Sequence, residues 1–160
     1  MLVWLAIPLV HAAPETAIDA EGVVVSTLTV PAAVEAVMAV IENPSRLSEL
    51  SGEGISVRVV SVDGACSVLD YTSASRLATV EYRLRQCRVT DGLDVTLIDS
   101  PSFSTYDSTW RLVSTASGTE ITYRLYAQTT YFLPDVLIRQ SIRSGVAEMM
   151  SGLQQHFSSE

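Results

Sequence analysis

The strongest constraint on the fold is a long apolar stripe near the C-terminus, between residues 133 and 157. After the first step, its apolar positions recur every three or four residues, the spacing of one face of a helix: Val136, Ile138, Ile142, Val146, Met149, Leu153 and Phe157. Pro134 suits the first turn, because its missing N–H would have no partner there. At 1.5 Å per residue, a helix from Pro134 to Phe157 would be about 36 Å long. It could cross a whole small domain.

The segments before this helix alternate apolar and polar residues as strands do. They predict seven strands: Gly22–Val30, Ile55–Val62, Cys66–Thr72, Ala78–Thr90, Leu93–Asp99, Thr105–Thr115 and Thr119–Thr130. Two short helices are predicted after the first strand, one opened by Pro31 and one at Pro44–Leu50 with Asn43 as its cap. The fold class is therefore α+β, a seven-stranded antiparallel sheet with a long C-terminal helix over one face. Such a sheet curls around its helix and leaves a cavity between them.

Composition excludes several classes of function. The formal net charge of −8 argues against nucleic acid, which requires a basic surface, and against attraction to anionic lipid headgroups. All ten cationic residues are arginine, so chemistry that needs a lysine amine is excluded. The apolar run Leu2–Val10 is too short for a stable membrane span.

The N-terminal run has the features of an export signal. Leu2–Val10 is apolar and is followed by the small residues Ala12 and Ala13, as at a cleavage site. We therefore predict a signal peptide at residues 1–13, an acidic lead-in at 14–21 and a single domain at 22–158. The protein would then be periplasmic or secreted. The alternative is a frayed N-terminal strand.

Export would make Cys66 and Cys87 a disulfide, and strand pairing supports the same bond. When the two strands pair with Cys66 opposite Cys87, the same register also places Asp70 opposite Arg83 and Tyr71 opposite Tyr82. One register thus satisfies a disulfide, an ion pair and an aromatic pair. The alternative is two free thiols in a reducing compartment.

Catalytic groups are sparse. His156 lies at the end of the chain, where it is expected to be solvated. The sequence gives no sign that the carboxylates of Asp99, Asp107 and Glu120 pair with one another as catalytic carboxylates would. We expect them on a solvated face or in salt bridges. The sequence has no phosphate-binding loop and no metal-ligand spacing. We therefore predict no catalytic residue, no metal site and no cofactor.

The order of elements resembles the helix-grip fold of the START-like (SRPBCC) superfamily. The similarity is greatest to its polyketide cyclase/dehydrase or coenzyme Q-binding START-like branch. Four stretches carry the resemblance: Val30–Val37, Tyr106–Leu112, Gly118–Leu125 and Leu133–Ile138. Two positions depart from the pattern: Met38, where relatives often have tryptophan, and Asn43, where they often have aspartate.

The resemblance implies a ligand cavity lined by the inner faces of the strands and the long helix. Its predicted lining residues are Met38, Tyr71, Tyr82, Trp110, Tyr123, Leu125, Met149 and Leu153. Aromatic and methionine side chains suit a hydrophobic small molecule such as a lipid, quinone or polyketide-like compound. Gly145 and Gly152 are interpreted as packing sites on the helix.

Three functions follow from this reading. The first is binding and sequestration or transport of such a ligand by an exported protein. The second is a cyclase or dehydratase acting on it, and the third is an interaction module whose protein partner is unknown.

Overall fold

The computed structural model describes residues 12–76 and 78–159. Its strands are β1 Glu15–Ile18, β2 Val24–Val30, β3 Ile55–Asp63, β4 Cys66–Ala74, β5 Thr79–Val89, β6 Gly92–Asp99, β7 Phe103–Thr115 and β8 Gly118–Thr129. Its helices are α1 Val34–Ile41, α2 Pro44–Leu50 and α3 Asp135–Ser158. Residues 1–11, which contain most of the predicted signal peptide, lie outside the described residues.

All eight strands form one antiparallel sheet in the order β1-β2-β8-β7-β6-β5-β4-β3. The fold class is confirmed, but the sheet has eight strands and not the predicted seven. The additional strand is β1, which lies in the segment interpreted as a lead-in and pairs with β2. With only four residues, β1 is too short to be identified from an alternation of apolar and polar residues. It is a strand because it pairs with β2.

The two short helices form where their sequence signals predicted them. Asn43 caps α2, since its side-chain oxygen accepts a hydrogen bond from the Arg46 N–H at 3.3 Å. Together α1 and α2 connect β2 to β3, which lies at the far edge of the sheet. They cover part of the inner face of the sheet, and Val37, Met38 and Ile41 are buried in the core.

The predicted β4–β5 register is confirmed at every named pair. Cys66 faces Cys87 and the two form a disulfide, while Tyr71 faces Tyr82. Asp70 faces Arg83 and accepts a hydrogen bond from its Nε at 2.6 Å. Arg58 of β3 also donates to Asp70, and the two arginines hold the pKa of this carboxyl at about 2.

The long helix α3 packs along only half of its length. Its buried residues all lie from the middle of the helix onward: Val146, Met149, Met150, Leu153 and Phe157. At Gly152 the helix comes so close to α2 that an added Cβ would lie 2.1 Å from the Leu50 carbonyl oxygen. The interpretation of Gly152 as a packing site is therefore confirmed. The same interpretation is wrong for Gly145, because an added Cβ there would meet no atom within 4 Å.

We predict opposite effects of alanine at these two glycines. Gly152→Ala should lower the free energy of unfolding by about 1–3 kcal/mol, because the backbone of α2 blocks the new methyl group. Gly145→Ala should raise it by about 0.5–1 kcal/mol, because alanine favours the helix and the space is open. Urea unfolding of both variants measures the difference. Equal effects would show that α3 does not approach α2 at Gly152.

Candidate functional site

A cavity of about 270 Å³ lies between the inner face of the sheet, α2 and the N-terminal half of α3. The sheet contributes residues from β3 to β8, and α2 contributes Leu47 and Ser48. From α3 the lining includes Ile138, Ile142 and Met149. The cavity therefore occupies the space that opens where α3 stops packing on the core.

Six aromatic side chains form the wall of the cavity on the sheet side: Tyr71, Tyr82, Phe103, Tyr106, Trp110 and Tyr123. Tyr82 is at the centre of the wall. Its ring lies parallel to that of Tyr71 at a centroid distance of 5.3 Å and stacks on Tyr106 at 5.4 Å. Trp110 and Tyr123 form a separate pair at 4.4 Å. Because these rings pack on one another, they hold each other in fixed positions.

The phenol groups of this wall are neutral hydrogen-bonding groups. Burial raises the pKa of Tyr71, Tyr82, Tyr106 and Tyr123 above the ordinary value of 10. The hydroxyl of Tyr123 interacts with those of Tyr106 and Ser108, which oppose the increase at Tyr123. The cavity thus holds a small cluster of hydroxyl groups on an otherwise apolar wall.

None of the described residues that line the cavity is charged. The remaining polar lining groups are serine and threonine hydroxyls and the Gln86 amide, whose nitrogen donates to the Glu42 carbonyl oxygen at 3.1 Å. Asp99, Asp107, Glu120 and His156 are all absent from this lining. No side chain within the described lining is therefore an evident general base at neutral pH.

The structure brings together six of the eight residues predicted to line a cavity: Tyr71, Tyr82, Trp110, Tyr123, Leu125 and Met149. Met38 and Leu153 belong instead to the buried core, with exposures of 4% and 0%. The prediction placed them in the cavity because both lie on inward helix faces. The cavity ends before it reaches them, because α1 and the C-terminal half of α3 pack tightly on the sheet.

Several lining residues were missed from the sequence, although a signal was present for some of them. Tyr106, Ser108 and Trp110 occupy every second position along β7, so all three side chains lie on the same face of the strand. Leu47 and Ser48 could not be found this way, because their approach to the cavity depends on the position of α2.

The mouth of the cavity has an exposed apolar surface. We call Tyr131, Phe132, Leu133, Val136 and Leu137 the mouth patch. Phe132 is fully exposed, while Tyr131 and Leu133 also line the cavity. Tyr131 is held to the body of the domain by its hydroxyl, which donates to the Thr79 carbonyl oxygen at 3.2 Å. The apolar lining therefore continues onto the surface.

No arrangement of three or more histidine, cysteine, aspartate or glutamate side chains in the described chain could hold a metal ion. Within the same residues, no helix is both long and apolar enough to cross a bilayer.

A family model described as polyketide cyclase / dehydrase and lipid transport matches residues 30–153, most of the chain. The chain belongs to this family. Its match begins at the end of β2 and ends within α3, so it includes every strand that lines the cavity. No curated protein sequence matches the chain significantly.

Solved structures show the same fold at low sequence identity. A START superfamily protein from Mycobacterium smegmatis is 11% identical with a TM-score of 0.75, over 86% of this chain and 97% of its own. A STAR-related lipid transfer protein from Xanthomonas axonopodis is 15% identical with a TM-score of 0.67, over 92% and 99%. The Zhui aromatase/cyclase from Streptomyces sp. R1128 is 13% identical with a TM-score of 0.62, over 83% and 94%. These likenesses show the START-like fold.

We predict that the wall tyrosines resist ionisation in the folded protein. Absorbance at 295 nm should show that Tyr71, Tyr82, Tyr106 and Tyr123 ionise at a higher pH in the folded protein than in denaturant, where all tyrosines ionise near pH 10. Because the folded pKa lies above the unfolded one, the unfolded state loses protons first. The free energy of unfolding should therefore fall as the pH rises above about 10. Tyr71→Phe should reduce this loss. Six tyrosines ionising together in a folded protein would contradict the described burial.

Proposed function

We propose that this protein binds a small, uncharged and largely apolar molecule in its cavity and sequesters or transports it. The observation that carries the proposal is the composition of the cavity, which is aromatic and aliphatic with no charged side chain in its described lining. A charged ligand would lose its hydration without gaining a partner there, whereas an apolar one gains about 25 cal/mol per Å² buried. Family membership supports the same class of ligand.

The shape and polarity of the cavity support a more specific ligand chemistry. The packed rings around Tyr82 offer an apolar contact surface for a lipid, a quinone or a polyketide-like ring system. The hydroxyls of Tyr106, Ser108 and Tyr123 offer hydrogen bonds to a carbonyl or hydroxyl group of the ligand. At about 270 Å³ the cavity is near the lower limit of ligand pockets, so a larger molecule would extend through the mouth.

The mouth patch and the N-terminal half of α3 form the proposed entrance. Ile138 and Ile142 are only partly buried and line the cavity, while Val136 and Leu137 are exposed on the same half of the helix. No residue in 135–145 is buried, so a small displacement of this part of α3 would widen the entrance.

An enzyme of the cyclase or dehydratase type is the second candidate function. The hydroxyl cluster around Tyr123 is the feature that favours it, since neutral phenols can donate hydrogen bonds to a carbonyl group that gains negative charge. Proton transfer would also require a base, and the described lining contains no carboxylate or imidazole. Binding without reaction is therefore the better-supported proposal.

We also propose that the protein acts outside the cytoplasm, in the periplasm or after secretion. The Cys66–Cys87 disulfide supports an oxidising compartment, and the apolar run Leu2–Val10 supports an export signal. Mass spectrometry of the exported chain should show loss of about the first 13 residues and a mass lower by two hydrogens than after reduction. A full-length chain with two free thiols in the cytoplasm would contradict this proposal.

Substitution at Gly145 tests ligand binding in the cavity. Gly145 lines the cavity and faces open space, so the side chain of Gly145→Leu should occupy the ligand volume. We expect the affinity for N-phenyl-1-naphthylamine, an uncharged apolar probe, to fall about tenfold or more, a loss of about 1.4 kcal/mol. Fluorescence titration measures this change.

Two variants of the same helix serve as controls. Gly145→Ala adds only a methyl group and should retain most of the probe binding. Ser144→Leu places the same large side chain at the preceding, exposed position, outside the cavity lining, and should bind as the wild type does. Wild-type protein that binds no uncharged probe would contradict the proposal. Equal probe binding by Gly145→Leu and Ser144→Leu would place the probe outside this cavity.

A further inference from the structure

The free edge of β3 carries a row of exposed valines. This strand pairs with β4 on one side only, and no strand of the described chain pairs with its other side. Val59, Val60 and Val62 are 50%, 40% and 68% exposed. An edge strand with apolar side chains and free main-chain groups is a surface on which another strand can pair.

A β-bulge between Val59 and Ser61 determines which side chains share a face of this edge. Arg58 faces Asp70 and Asp63 faces Cys66, and these two β4 residues lie on the same face of the sheet. Val59 and Val62, opposite Leu69 and Ser67, both lie on the other face. In a regular strand, residues 58 and 63 would point to opposite faces. The inserted residue brings them to the same one.

This arrangement makes the edge complementary to itself. When two copies of β3 pair antiparallel about a two-fold axis between Val60 and Ser61, Arg58 faces the partner's Asp63 and Val59 faces the partner's Val62. Both charge pairs lie on one face and both valine pairs on the other. Directly opposed residues of two paired strands must point to the same face of the sheet. Without the bulge, this register would oppose residues that point to different faces, and it could not form.

We propose that this protein forms a symmetric dimer through β3, joining two eight-stranded sheets into one continuous sheet. The charges at the edge are available for this pairing. Asp63 makes no ion pair within the described residues, and the side chain of Arg58 is 73% exposed although it also contacts Asp70. The two ion pairs supply local attraction between copies that each carry a net charge of −8.

The paired segment is short, so the dimer is reversible and its population depends on protein concentration. The other exposed apolar surface, the mouth patch, has no comparable complementarity of charge with itself. Within Tyr131–Leu137 the only charged residue is Asp135. A two-fold contact centred there would bring like charges together.

Sedimentation velocity of the full chain over a range of concentrations tests the proposal. The wild type should show a monomer–dimer equilibrium. Asp63→Arg should raise the dimer dissociation constant about tenfold or more, because each attractive pair becomes two facing arginines. Val62→Lys should weaken the dimer as well, since it removes both valine pairs and places charge at the edge. Glu35→Arg, with the same charge change on the exposed side of α1, should leave the dimer unchanged.

Two results would overturn the proposal. One is a wild type that stays monomeric at every concentration. The other is a dimer that survives Asp63→Arg and Val62→Lys but is lost in Phe132→Ser, which would place the interface at the mouth patch. Asp63 and Val62 are absent from the cavity lining, so probe binding by these variants also shows whether the cavity remains intact.

Discussion

The cavity depends on how much of the length of α3 packs against the rest of the domain. Its C-terminal half is fixed by burial of Met150, Leu153 and Phe157, and by the close approach of Gly152 to the α2 backbone. Residues 135–145 include no buried residue, although Ile142 packs against the core, and Gly145 faces open space. One rigid helix held at one end therefore creates both the cavity and its entrance, and the packed half supplies the stability that the open half lacks.

The polarity of the cavity depends on where the strands place their charged side chains. Burial raises the pKa of Tyr71 and Tyr82 further above the ordinary value, so these phenols stay neutral even in mildly alkaline solution. The charged groups of neighbouring strands pair with one another outside the cavity. Arg83 binds Asp70 on the outer face, and Arg111 binds Asp94 at 2.7 Å. The alternation of the strands thus separates a charged outer face from an uncharged inner one, and that separation defines the polarity of the proposed ligand.

Much of this fold could be predicted from the sequence where local chemistry specifies the pairing. The Cys66–Cys87 register, the Asn43 cap and the long helix each follow from residues close together in sequence or from one strand pair. Three-dimensional packing decided the rest. Met38 and Leu153 point inward as predicted, yet the core fills the space around them. Strand β1 is ordered by its partner, and the approach of α2 to the cavity has no local sequence signal.

The most direct test of the central claim is native mass spectrometry, followed by organic extraction, of protein purified from its own host. We predict one passenger molecule per chain that is uncharged, largely apolar and released by organic solvent. A protein that is always isolated empty and binds no member of a panel of lipids and quinones would contradict it. A tightly held charged metabolite would contradict it equally, since no charged side chain of the described lining could pair with such a molecule.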